Sequence, residues 1–72
     1  MRFTAIYKPV AEGGYVCWLE EMPGVQTQGE TLDEARSNLS DAFALSVTYL
    51  RERAAAEAGP ESVREEFEPV VA

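Results

Sequence analysis

The sequence predicts an α+β domain: a three-stranded antiparallel meander followed by one long helix packed on one face, a β-β-β-α core. Three observations carry this. Short runs of alternating apolar and polar residues fill the chain before residue 30. Gly13-Gly14 and Pro23-Gly24 punctuate those runs. A helix-start signature at Thr31-Leu32-Asp33-Glu34 is followed by apolar residues at helical spacing.

The first strand is expected over Arg2 to Val10, with Phe3, Ala5 and Tyr7 on one side and Thr4, Ile6, Lys8 and Val10 on the other. Proline cannot donate to a strand ladder, so Pro9 belongs at the strand end or on an edge. Glu12, Gly13 and Gly14 form the turn, because paired glycines supply the positive φ a tight hairpin needs. The second strand runs from Tyr15 to Glu20. Tyr15, Cys17 and Leu19 share one face, and Val16, Trp18 and Glu20 share the other. Pro23-Gly24 is expected as the next turn, with proline presetting φ and glycine accepting positive φ after it. A short third strand, Val25 to Gln28, completes the meander.

Thr31 and Glu34 form a capping box. The Thr31 hydroxyl accepts from the Glu34 amide, and the Glu34 carboxylate reaches back to the Thr31 amide. Asp33 and Glu34 also suit the positive end of the helix dipole. Leu32, Ala35, Leu39, Ala42, Phe43, Val47 and Leu50 define the core-facing stripe. The helix is expected from Leu32 to about Ala56, stopping before Gly59-Pro60. Leu45 and Tyr49 lie off the stripe, one turn apart, either as ordinary exposed residues or as a contact surface. For the tail after Gly59 two readings stand: a short second helix from Glu61, or a short edge strand over Phe67 to Val71.

The chain has 72 residues, which supports a single domain over 1–72, with a core over 1–58 and an acidic tail over 59–72. A chain this short is marginal alone and usually gains stability from disulfides, metals or partners. Cys17 is the only cysteine and histidine is absent, which excludes an internal disulfide and argues against structural zinc. Self-association to a dimer or higher oligomer is the remaining expectation. The net charge of −7 disfavours direct nucleic-acid binding and anionic membrane, and it suits a basic protein partner. No apolar run reaches transmembrane length and no signal peptide is visible, so a cytoplasmic protein is expected.

Catalytic residues are not evident. Without histidine, acid–base work would fall on carboxylates, Tyr or Lys. Cys17, between Val16 and Trp18, has no histidine to activate it and reads as a small core residue. Glu20, Glu21, Glu30, Asp33 and Glu34 could supply oxygens to a divalent cation, but helix capping and a solvated strand end explain them better. No cofactor and no metal are expected. One helix covers one face of a sheet, yet both faces of the first two strands carry apolar or aromatic residues. The pattern leaves open which face the helix covers, and it calls for a second chain over the other. Trp18 is the preferred anchor of that contact and Tyr15 the second, because they lie on opposite faces of the strand and the uncovered face decides between them, with Glu20, Glu21 and Glu30 at the rim.

The ordered set Glu12-Gly13-Gly14-Tyr15, Pro23-Gly24, Thr27-Gln28-Gly29-Glu30-Thr31 and Glu34-Ala35 resembles the HicB-like antitoxin family over about the first fifty residues. Glu21-Met22 stands where that family often has an aspartate-leucine pair. The chain after Ala58 is too short for the DNA-binding domain of full-length members. The resemblance is therefore to short, single-domain members. It implies a partial RNase H-like fold without nuclease carboxylates and a small, basic, HicA-like ribonuclease toxin as partner, held inactive by binding. Gly13, Gly14, Pro23, Gly24, Gly29, Thr31 and Glu34 are expected to have structural roles. A stand-alone oligomeric regulatory or scaffold domain without a toxin is the second reading, and a carboxylate-dependent metallohydrolase a third.

Overall fold

The structure, a computed structural model, describes residues 2–70. Its order is β1 (Ala5–Pro9), β2 (Tyr15–Leu19), β3 (Met22–Gly29) and α1 (Leu32–Ala58). The strands form one antiparallel sheet in the order β1-β2-β3, the expected meander.

The first hairpin follows from its glycines. The Gly13 amide donates to the Val10 carbonyl at 3.0 Å, and the Val10 amide donates to the Gly14 carbonyl at 3.1 Å. Gly13 and Gly14 both lie at positive φ, +99° and +81°. A three-residue hairpin loop that ends in a left-handed glycine has this form.

The second hairpin departs from expectation. Pro23-Gly24 is not the turn. Leu19 pairs with Met22, so the turn is Glu20-Glu21, while Trp18 pairs with Gln26. Pro23, Gly24 and Val25 are therefore extra residues on β3, a wide bulge inside a strand longer than the expected Val25 to Gln28. Gly24 has no positive φ, so the property that marked it as a turn residue is not used there. The reason is non-local. The Glu20 amide donates to the Thr4 carbonyl at 2.9 Å, and the Glu21 carboxylate accepts from the Thr4 amide at 2.8 Å. Both residues are thereby tied to the start of β1, and the chain reverses on them. Proline, which has no amide hydrogen to offer the ladder, fits a bulge as well as a turn. The bulge also delivers Val25, 3% exposed, to the core.

The helix covers the face carrying Cys17 and Leu19. Cys17, Leu19, Val25, Ala35 and Leu39 are buried, with Ala5, Tyr7, Tyr15, Met22, Ala42 and Phe43 packed around them. The Phe3 and Phe43 rings meet at 5.4 Å, and the Arg36 guanidinium lies over the Tyr7 ring. The expected stripe holds in its first half and fades in its second: Leu50 is exposed, as is every residue from Thr48 to Ala58.

Thr31 caps α1 from an extended conformation, its hydroxyl accepting from the Glu34 amide at 3.1 Å. The return bond differs from expectation by one residue. The Glu34 carboxylate accepts from the Glu30 amide at 3.3 Å rather than from Thr31. Gly59, at φ +77°, ends the helix. Residues 59–70 adopt neither the short helix nor the edge strand considered for them, and Val71 lies outside the described residues.

The tightest contact joins sheet and helix. A Cβ added to Gly29 would clash with the Ala35 amide nitrogen and stand 2.8 Å from the Ala35 Cα. Ala35 itself is fully buried. Gly29→Ala should therefore cost about 1–3 kcal/mol by forced overpacking, read as a lower urea midpoint. Gly24→Ala should leave that midpoint unchanged or slightly raised, because a Cβ there meets nothing within 4 Å. A turn glycine at positive φ would give the opposite result. Thr31→Ala should cost about 1 kcal/mol through loss of the cap, and the same denaturation series measures it.

Candidate functional site

Strand alternation and register define the face the helix leaves open. Ile6, Trp18 and Gln26 form one cross-strand row, and Lys8, Val16 and Gln28 form the next. Since Cys17 and Leu19 point into the core, these six residues point away from it. Ile6, Val16 and Trp18 are half-buried by one another, while Lys8, Gln26 and Gln28 are exposed. The surface is thus an apolar strip over β1 and β2 flanked by a polar edge on β3. A groove of about 400 Å³ runs between Val16 and Trp18 on one side and Gln26 and Gln28 on the other.

The five expected contact residues do not converge on one surface. Trp18 lies on the open face, with Glu20 and Glu21 at the turn that ends its strand. Tyr15 lies on the helix side, packed against the core. It lines a hollow of about 540 Å³ toward the opposite end of the sheet, together with Glu12, Glu30, Glu34 and Asn38, which shares Val16, Thr27 and Gln28 with the open-face groove. Glu30 therefore accompanies Tyr15 rather than Trp18. Glu21 also has a structural task, since its carboxylate holds the Thr4 amide. That bond keeps its carboxyl below the usual glutamate range.

Sequence reasoning assigned no part to Gln26 and Gln28, the polar half of the groove. Their signal was present in the alternation of β3, where Val25 and Thr27 turn inward and the two glutamines outward. Asn38 was missed as well. Its side-chain amide donates to the Gln28 carbonyl at 2.8 Å and ties the helix to the edge strand beside the open face.

The Cys17 thiol is placed for packing. It is 1% exposed and lies 3.6 Å from both the Thr27 and Ala35 carbonyl oxygens. Burial pushes its pKa up, against a smaller opposing effect of the Thr27 carbonyl bond. Such a thiol is a weak nucleophile. Among the described residues, no three Cys, Asp or Glu side chains converge on a point that could hold a metal ion. Among the same residues no helix is long and apolar enough to cross a membrane.

A UPF0150 protein of Synechocystis sp. is 41% identical to this chain over 44 residues. That stretch is 61% of each protein, so the chain matches less than two thirds of the relative's length. No family model and no solved structure matches the chain.

The Glu21 latch has a definite pH sign. A carboxylate with a lowered folded-state pKa stabilises fully above its unfolded value, about 4.3, and loses that contribution as pH falls through the folded value. The Thr4 amide resonance should therefore shift with a midpoint below the ordinary glutamate range in an NMR titration. In Glu21→Gln that titration should vanish from Thr4.

Proposed function

We propose that this chain is a non-catalytic protein-binding module of the HicB-like kind, which holds a small basic ribonuclease inactive by covering it. The open sheet face carries the reading. An apolar strip centred on Trp18, on a chain of net charge −7, offers a hydrophobic anchor inside an acidic field. The similarity to a UPF0150 protein and the motif series from Gly13 to Ala35 support it further.

The division of labour follows from the chemistry. Trp18, with Ile6 and Val16 beside it, supplies the contact that excludes water and sets the lifetime of the complex. Gln26 and Gln28 offer amide donors and acceptors along the groove edge and fix orientation. Glu20 adds rim charge at the turn. Glu12 and Glu30, at the far end of the sheet, contribute to the long-range field rather than to the anchored contact. Rim and distant charges act on the encounter rate, and the buried aromatic acts on dissociation. Inhibition is steric: the basic surface that would grip RNA is occupied, and the module needs no reactive group of its own.

Binding kinetics against a co-encoded small basic protein test this. Raising salt from low to physiological strength should slow association, because the Debye length contracts to about 8 Å, while dissociation changes little. Trp18→Ala should speed dissociation with little effect on association, and Tyr15→Ala should leave both nearly unchanged because Tyr15 faces the helix. Salt-independent association together with a silent Trp18→Ala substitution would remove the open face as the binding surface.

A further inference from the structure

The open sheet face of this acidic chain carries one positive charge, placed where a basic partner would least accept it. Lys8 is the only lysine of the chain. It lies in the row Lys8-Val16-Gln28, directly across from Val16 and two residues along β1 from Ile6. Paired residues of an antiparallel sheet stand about 5 Å apart, so the Lys8 stem borders the apolar strip that Trp18 shares. Arg36 and Arg53 are engaged within the chain, by Asp33 and Glu57. Lys8 forms no ion pair among the described residues, although the chain holds 13 acidic residues to choose from.

We infer that Lys8 takes a carboxylate of the partner protein, which rests on the open face being the binding surface. An ammonium group taken out of water is costly unless an opposite charge meets it. A basic surface laid on the strip would bring its own positive charges against Lys8 and add repulsion to that cost. A carbonyl or hydroxyl of the partner would accept a hydrogen bond but leave the charge uncompensated. A carboxylate answers both. The chain does not supply one: Gln26 and Gln28, the other polar groups of the face, are neutral, and the Glu21 carboxylate is held to the Thr4 amide.

The two charge effects then divide between attraction and choice. The net charge of −7 draws every basic protein and does not choose among them. Lys8 opposes that field at short range and rejects a basic surface that has no acid at this point. Specificity commonly joins an attractive element to a repulsive one in this way. The partner is thus a basic protein that presents an Asp or Glu beside its apolar contact. A lysine on a short edge strand also discourages strand addition. That task belongs to the free chain and gives Lys8 no part in dissociation, so binding kinetics separate the two.

The small basic protein encoded beside this chain is the probe. Lys8→Glu takes the net charge from −7 to −9, so long-range attraction alone would speed association and leave dissociation unchanged. With a carboxylate opposite, Lys8→Glu should speed association and also raise the dissociation rate about tenfold or more, because two acids then face each other. Lys8→Gln should raise it too, by leaving the partner carboxylate unpaired. Arg64→Glu changes the net charge equally from the exposed tail and should speed association only. A zero-length carbodiimide crosslink, read by mass spectrometry, should join Lys8 to an Asp or Glu of the partner. Replacing that acid with lysine should restore slow dissociation to Lys8→Glu. Unchanged dissociation in Lys8→Glu, or a complex in which Lys8 crosslinks to no partner acid, would overturn the proposal, and a Trp18→Ala variant that still dissociates faster would then leave the open face standing as the binding surface. If Trp18→Ala and Lys8→Glu are both silent, the face itself is wrong and the proposal falls with it.

Discussion

The contact between Gly29 and Ala35 sets the geometry of this domain. No side chain separates β3 from α1 there, so the first turn of the helix rests on strand backbone. Every neighbouring choice protects that approach. Cys17, the largest fully buried side chain, is itself small and sits against the Ala35 carbonyl. Thr31 and Glu34 satisfy amides at the helix start, and Asn38 clamps the next turn to the Gln28 carbonyl. The helix is therefore fixed in position and direction within two turns of leaving the sheet. Its remaining length follows from that direction, and the sheet is too short to accompany it.

That constraint separates what could be read in the sequence from what could not. Local chemistry was legible. The Gly13-Gly14 hairpin, the Thr31 cap, the end at Gly59 and the assignment of Cys17 and Trp18 to opposite faces each depend on residues adjacent in sequence. The Pro23-Gly24 segment was misread because turn and bulge share the same residue types. The decision between them came from Thr4, whose amide and carbonyl bind Glu21 and Glu20 across the sheet. The Glu34 carboxylate was one residue off for a similar reason: the box motif names an acceptor, and the path of the preceding chain chooses the donor. Gly29 was expected to be structural, but what it does could not be read from its neighbours in sequence. It has no positive φ, so its need for a missing side chain comes wholly from a helix that arrives later in the chain.

The candidate site was legible in kind but not in composition. Period-two alternation places Trp18 on the face opposite Cys17, and the structure decides that the helix covers the Cys17 face. The same alternation places Tyr15 with Cys17 and Leu19, so the two aromatics could never share one surface. Grouping the acidic residues with them by sequence proximity ignored the length of the sheet. Glu20 and Glu30 sit at opposite ends of β3, and a surface that includes one excludes the other as a close contact. The glutamines of β3 were overlooked because polar residues on an outward face usually signify solvent alone. Here they border an apolar strip, and the border gives them meaning.

The apolar residues left outside the core have one origin. A core built from Gly29, Ala35 and Cys17 brings helix and sheet close, but it contains few large side chains. The larger apolar residues are consequently distributed to places the single helix cannot cover: Ile6, Val16 and Trp18 behind the sheet, and Leu45 and Tyr49 along the helix. A chain of this size has little surplus stability to leave such groups in water. The sheet face belongs to a strongly acidic molecule and attracts bases from a distance. Attraction over many ångströms therefore favours a foreign basic partner for it, with Trp18 holding what the field delivers.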